Sequence, residues 1–144
     1  MNGQVQVIFK HYPLPTHRMA KGAAIASLAA AKQGKFWEYH DELWNNMGYL
    51  SPAHLKNYAA KVGCDVEQWE KDFNSEEIKQ QVEYETQLSG KLGITGTPAF
   101  VIGGKVSVGW GSVMMIKNDV EILLRQGSIS KDGFCNYEGY PCNA

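Results

Sequence analysis

The sequence predicts a mixed α/β domain in which a long helical segment interrupts one β-sheet. A strand pattern lies near the N-terminus, five helix patterns follow it, and a β-hairpin pattern with one more helix comes after them. Strands at both ends of a helical segment are typical of a sheet that carries a helical insertion. The predicted order is therefore strand, five helices, hairpin and helix.

Length and composition fit one globular domain. The chain has 144 residues, of which 44% are hydrophobic and 20% charged, and this is enough apolar material for a buried core. Its formal net charge of -1 gives no electrostatic reason to expect nucleic acid or an anionic membrane as a partner. No apolar run approaches the roughly 18 residues that a transmembrane helix needs.

The first part of the chain is predicted to form one strand and two helices. Apolar and polar residues alternate over Val5–Phe9, which indicates a largely buried strand. An alanine-rich helix is expected from about Arg18 to Gln33, and Gly34 ends it. The next helix carries an aromatic face over Phe36–Trp44, and His40 on that face is expected to be a satisfied core residue.

The later helices are marked by residues that cap helix N-termini. Ser51, Asp65, Ser75 and Ser112 each precede a helical pattern, and Gln68 stands three residues after Asp65 as in a capping box. Side chains at helical spacing are expected to face the core. In the three middle helices these are Leu55, Tyr58, Ala59, Val62, Val66, Trp69, Phe73, Tyr84, Leu88 and Leu92.

A β-hairpin and a last helix are predicted near the C-terminus. Ala99–Ile102 and Lys105–Trp110 are strand patterns, and the Gly103-Gly104 pair between them is typical of a tight hairpin turn. The helix after Ser112 ends at Gly127, with an apolar face of Val113, Ile116, Val120, Leu123 and Leu124. The tail over residues 128–144 has no periodicity.

Two stretches together resemble the DsbA-like family of thioredoxin-fold proteins. The first is Phe9–Leu14 (FKHYPL), followed by the alanine-rich helix and Gln33–Asp41 (QGKFWEYHD). The second is Gly93–Gly104 (GITGTPAFVIGG). The resemblance implies an α/β, thioredoxin-like (DsbA-like) fold over residues 1–127 whose N-terminal βα unit is missing. The helical insertion would cover residues 34–92.

The same resemblance implies a polypeptide-binding loop. In the family, the residues that match Thr97 and Pro98 form a cis-proline loop beside the redox site. We therefore expect a cis Thr97–Pro98 bond and an extended backbone edge with which a substrate polypeptide pairs its main chain. The implied lineage is thiol–disulfide oxidoreductase acting on extracytoplasmic proteins.

The defining dithiol of that family does not occur in this sequence. Family members carry a strand and a helix headed by Cys-x-x-Cys, where the helix N-terminus lowers the pKa of the first thiol. No two of the three cysteines here are separated by two residues. We therefore expect no catalytic residues and little dithiol exchange by this chain alone. The alternative is a non-catalytic module that binds peptides or assembles with itself through the cis-proline loop and an open sheet.

The cysteines and histidines give weaker expectations. Cys64 is expected to be a small buried hydrophobe. Cys135 and Cys142 are close enough to form a disulfide in an oxidising compartment and would be free thiols in the cytosol. No spacing of cysteines and histidines indicates a metal site, and no motif indicates a cofactor.

An open sheet would affect which partners the chain binds. The family places the missing strand between those matching Val5–Phe9 and Ala99–Ile102, so that apolar side chains and backbone groups would be uncovered. The flanking strands could pair directly, another polypeptide could fill the gap, or two copies could exchange elements. We favour a homo-oligomer.

The N-terminus has no signal-peptide pattern, which indicates the cytoplasm for the chain as given, and an extracytoplasmic site if the family's usual export applies.

Overall fold

The computed structural model describes residues 5–109 and 111–125, and these form six helices and one two-stranded sheet. The chain divides into two compact units. The helical unit is His11–Ser89, and the sheet unit comprises Met1–Lys10 with Gly90–Ala144. The elements are α1 Ala20–Ala31, α2 Phe36–Asn45, α3 Pro52–Lys61, α4 Val66–Asn74, α5 Glu76–Lys91, β1 Ala99–Ile102, β2 Lys105–Val108 and α6 Val113–Arg125.

The buried core of the described residues lies in the helical unit. Small side chains on α1 let its neighbours approach closely, and larger ones from the other helices fill the space between them. Two buried polar atoms satisfy main-chain carbonyls across helices. The Tyr39 hydroxyl donates to Leu55 O at 2.9 Å, and the Trp69 indole donates to Ala26 O at 3.1 Å. The core consists of Ala24, Ile25, Ala26, Ala29, Ala30, Tyr39, Leu55, Tyr58, Ala59, Cys64, Trp69, Ile78 and Val82.

The predicted helix caps are confirmed, although one of them is completed differently. Oδ1 of Asp65 accepts from Gln68 N at 2.9 Å, as the capping box requires. The reciprocal hydrogen bond of a capping box, to the backbone N–H of Asp65, is not made by Gln68, whose side chain donates to Asp72. Instead Gln33 reaches from the end of α1, accepting from Asp65 N at 2.8 Å and donating to Asp65 O at 3.0 Å. A tertiary contact thus replaces a local one.

The buried face of α5 differs from the predicted one. The apolar residues at spacing of four predicted a face of Tyr84, Leu88 and Leu92, but Tyr84 is exposed and the two leucines are half-buried. The buried side chains of α5 are Ile78, Val82, Glu85 and Ser89. Two of these four are polar, so a search for apolar spacing places the face wrongly. Their burial is explained by hydrogen-bond partners in the same unit.

The sheet unit contains the predicted hairpin and last helix. β1 and β2 pair antiparallel with Ile102 opposite Lys105, so Gly103 and Gly104 alone form the turn, and both have positive φ as a type I′ turn requires. A Cβ on Gly103 would stand 2.6 Å from a methyl carbon of Leu123, which shows how closely α6 approaches the turn. α6 has no fully buried residue among those described.

The predicted strand over Val5–Phe9 is wrong. Residues 5–10 lie in no strand, and all six are exposed. A strand requires a neighbouring ladder for its backbone, and the sheet formed by the described residues contains only β1 and β2. The predicted ends of the second hairpin strand (Trp110), of the last helix (Gly127) and of the domain all lie outside the described residues.

Candidate functional site

The predicted polypeptide-binding loop lies directly before β1 in the sheet unit. Thr97 and Pro98 are both exposed, and the peptide bond between them is cis. The carbonyl of Pro98 accepts a hydrogen bond from Gly109 N at 2.7 Å, which holds the loop against the end of β2. The loop therefore has a fixed backbone anchor while its side chains face solvent.

The backbone next to this loop is placed for pairing with an extended chain. β1 forms its ladder with β2 along one edge, and no other strand of the described residues pairs along the opposite edge. The N–H and C=O groups of an extended strand recur at the spacing that a second extended chain needs. Proline has no backbone N–H and the Pro98 carbonyl already accepts from Gly109 N, so main-chain pairing at this loop would use the groups of Thr97.

The buried cysteine of the helical unit is poorly suited to nucleophilic chemistry. Cys64 stands between α3 and α4, is 8% exposed, and forms no disulfide. Burial raises the pKa of its thiol, and the nearby Lys35 only partly opposes this effect. Because the thiolate is the reactive form, a raised pKa lowers reactivity near neutral pH. Cys64 is part of the core, as the sequence indicates.

The candidate disulfide between Cys135 and Cys142 lies outside the described residues and stays a prediction. Within residues 5–109 and 111–125, no three histidine, cysteine or acidic side chains are grouped so that they could hold a metal ion.

A buried polar cluster in the helical unit was not predicted from the sequence. The backbone N–H of His11 donates to Oε2 of Glu85 at 2.7 Å, and Nε2 of His11 lies 3.3 Å from the Ser27 hydroxyl. The same hydroxyl donates to Ala24 O at 2.9 Å.

The cluster of His11, Ser27 and Glu85 has a structural role and not a catalytic one. All three are less than a tenth exposed, so a substrate cannot reach the serine. Ser89 also donates to the backbone carbonyl of Glu85 at 3.1 Å. Glu85 thereby connects the first residue of the helical unit to its last turn of helix. The sequence carries no signal for this contact, because His11 and Glu85 are 74 positions apart.

The aromatic face of α2 is less buried than the sequence indicates. Trp37 and Trp44 are half-exposed or more, and His40 is half-buried. The indole of Trp44 donates to Nε2 of His40 at 2.9 Å, while Nδ1 of His40 lies 3.0 Å from Asp41. His40 has its polar partners, as predicted, but it obtains them at the surface.

Comparison with known proteins relates this chain to two kinds of protein. Residues 3–121 match the family model described as DSBA-like thioredoxin domain. The Na(+)/H(+) antiporter NhaA 1 of Mycolicibacterium gilvum is 32% identical over 114 residues, which are 76% of this chain and 18% of the antiporter. The Na(+)/H(+) antiporter NhaA of Herminiimonas arsenicoxydans is 37% identical over 92 residues, which are 64% of this chain and 15% of that protein.

The chain therefore spans less than a fifth of the length of these antiporters. Among the residues that the structure describes, no helix is both long enough and apolar enough to pass through a lipid bilayer.

A solved structure gives the same family relationship. The crystal structure of a thioredoxin-like oxidoreductase from Silicibacter pomeroyi DSS-3 superposes with a TM-score of 0.69 at 28% sequence identity. The match covers 81% of this chain and 66% of that protein, so this chain spans slightly less than two thirds of its length. The family match extends over most of the chain, and the predicted α/β, DsbA-like thioredoxin fold is confirmed. This chain belongs to the DSBA-like thioredoxin domain family.

Proposed function

We propose that this chain binds extended polypeptides at Thr97–Pro98, as a member of a thiol–disulfide oxidoreductase family, and does not exchange disulfides by itself. The observation that carries the proposal is the exposed loop, anchored by the Pro98–Gly109 hydrogen bond at the start of β1, a strand that pairs only with β2 among the described residues. Main-chain pairing to such an edge is a general mode of peptide recognition. The polypeptide as the class of partner is what the resemblance of the Thr97–Pro98 loop to the family's cis-proline loop implies.

The expected lack of dithiol exchange follows from the cysteines. Dithiol exchange needs a thiolate and a second thiol that resolves the mixed disulfide. The sequence has no Cys-x-x-Cys pair, and Cys64, the cysteine that the structure describes, is buried with a raised pKa. Ion transport is not proposed for this chain, because its match to the antiporters covers under a fifth of each.

The first test measures catalysis. The reduction of insulin by dithiothreitol is followed by turbidity with and without the purified chain, and no acceleration is expected. Cys64→Ser, Cys135→Ser and Cys142→Ser variants are run in parallel. An acceleration that disappears when Cys135 or Cys142 is replaced would overturn the proposed inactivity and make that pair a redox centre.

The second test measures binding. A cysteine-free, fluorescently labelled extended peptide is titrated with the chain and followed by anisotropy. Pro98→Ala frees the loop backbone and should weaken binding about fivefold, the equivalent of one hydrogen bond of about 1 kcal/mol. Pro52→Ala, at an exposed position in the helical unit, is the matched control and should leave binding unchanged. Equal affinity for both variants would exclude Thr97–Pro98 as the binding loop.

A further inference from the structure

An open groove between α1 and α5 is lined by charged side chains of both signs. It has a volume of about 470 Å³ and lies within the helical unit. Contacts between these two helices are sparser than those that α1 makes with α2, α3 and α4, which leaves room for the groove. Charged side chains are seldom buried without a partner, so such a lining faces solvent. The lining residues are Lys21 and Ile25 of α1 and Glu76, Lys79, Gln80 and Glu83 of α5.

Two ion pairs between the helices show which side chains face each other. Nζ of Lys21 lies 3.2 Å from Glu83, and Nζ of Lys32 lies 2.8 Å from Glu77. Because residue numbers rise along α1 while those of the partners fall along α5, the two helices run in roughly opposite directions. Ile25 is therefore placed between the two pairs, and its buried side chain gives the groove an apolar floor.

Each end of the groove holds one ammonium group and one carboxylate. Lys21 and Glu83 form one end, and Lys79 and Glu76 form the other, near the start of α5. Nζ of Lys79 donates to Asn74 O at 3.0 Å. Neither Glu76 nor Lys79 takes part in an ion pair with another described residue. An exposed pair such as Lys21–Glu83 adds little stability, so its members are able to turn to a ligand.

The length of the groove fits a peptide of three residues. Glu76 and Glu83 are seven positions apart in α5, which is about 10.5 Å along a helix axis. A fully extended tripeptide spans about 10–11 Å. The charged termini of such a peptide would thus reach both ends of the groove at once.

We infer that this groove binds free tripeptides as zwitterions. The α-ammonium group pairs with the glutamate of one end, the α-carboxylate pairs with the lysine of the other, and an apolar middle side chain rests on Ile25. The inference goes beyond the proposed function, because it concerns the helical unit and depends on the charges of the peptide termini and not on main-chain pairing.

The first experiment varies the peptide. The tripeptide Ala-Leu-Ala is added to the nitrogen-15-labelled full chain, and the backbone amide shifts are followed by nuclear magnetic resonance. Saturable shifts in α1 and α5 are expected, with a dissociation constant of about 1 mM because the contacts are few and exposed. Acetylating the N-terminus or amidating the C-terminus of the peptide removes one charge and should weaken binding about fivefold. Ala-Gly-Ala lacks the apolar side chain and should also bind about fivefold more weakly.

The second experiment varies the groove. Glu76→Gln and Lys79→Gln each remove one charge and should weaken the binding of Ala-Leu-Ala about fivefold. Glu67→Gln and Lys71→Gln make the same charge changes on α4, outside the groove, and should alter the affinity by less than twofold. Circular dichroism should show the same helix content for all four variants, because none of these side chains belongs to the core.

The absence of a saturable shift, equal affinity for free and doubly capped tripeptides, or equal effects of the α4 and α5 variants would each overturn the inference. Shifts confined to β1 and the Thr97–Pro98 loop would overturn it as well. That last result would leave the proposed function standing, since main-chain pairing at the loop does not need charged peptide termini. Conversely, tripeptide binding that fails only in the α5 variants supports the groove whether or not the loop binds extended chains.

Discussion

At the scale of single residues, buried polar atoms in the helical unit are paired with main-chain groups of distant segments. Tyr39 is fully buried and its hydroxyl joins α2 to α3 through Leu55 O. Burial raises the pKa of Tyr39, and it also raises the pKa of Cys64. A buried polar group that loses its partner keeps the cost of its desolvation, so these contacts contribute to stability as well as to geometry.

We predict that the helical unit loses stability at alkaline pH. The unfolded chain releases the Cys64 and Tyr39 protons near their ordinary pKa values of 9.0 and 10.0, whereas the folded chain holds both protons to higher pH. The unfolded state then binds fewer protons, so the free energy of unfolding falls above about pH 9. Urea unfolding followed by tryptophan fluorescence between pH 7 and 11 measures this fall.

Variants identify the group responsible. Tyr39→Phe should cost about 1 kcal/mol at pH 7 through the lost hydrogen bond, and should make the fall above pH 10 shallower. Tyr49→Phe removes an exposed phenol and should change neither value. If both variants show the slope of the unchanged chain, the burial of Tyr39 does not cause the alkaline loss.

At the scale of elements, the start of α4 combines a local cap with a tertiary contact. Asp65 caps the helix with its side chain, while Gln33 from the end of α1 satisfies both main-chain groups of Asp65. The side chain and the backbone of one residue therefore connect two helices. Residues that begin a helix in this way are recognised from sequence by their type, but the glutamine that completes the cap is 32 positions away.

We predict that the hydrogen bond of the Asp65 side chain, and not its charge, stabilises the start of α4. Asp65→Ala should lower the free energy of unfolding by about 1 kcal/mol, because Gln68 N loses its acceptor. Asp65→Asn keeps an oxygen at the same position and should cost a few tenths of a kcal/mol. Chemical denaturation at pH 7 measures both. A cost of 1 kcal/mol or more for the asparagine variant would mean that the carboxylate charge, and not the hydrogen bond, stabilises the helix.

At the scale of the whole molecule, burial is distributed unevenly between the two units. Every fully buried apolar residue of the described chain lies in the helical unit. In the sheet unit, β2 is exposed along its length and α6 has no fully buried residue among those described. Local stability follows the apolar area removed from water, so the two units should differ in how often they open.

We predict that hydrogen exchange separates the two units. At low micromolar concentration, backbone amides of α1 and α4 should exchange at least tenfold more slowly than those of β1 and α6, measured by mass spectrometry. Equal protection of α1 and β1 at low concentration would contradict the uneven distribution of stability.

The amino-acid sequence alone was sufficient for the elements whose signals are local. The side chains of Ser51 and Asp65 cap helices by accepting a hydrogen bond from the backbone N–H three residues later. Gly103-Gly104 supplies the two positive φ values of a tight turn. The residue types are therefore enough to predict both the caps and the turn. The motifs around Pro13 and Pro98 were likewise enough to predict the family.

Only the tertiary structure decided which side chains are buried and which segments find partners. Glu85 lies on the buried face of α5 because the backbone of His11 donates to it, and no pattern within α5 encodes that donor. Val5–Phe9 has the composition of a strand but no ladder among the described residues, because pairing depends on a neighbour and not on the segment itself. Propensity is a property of a segment, whereas burial and pairing are properties of its surroundings.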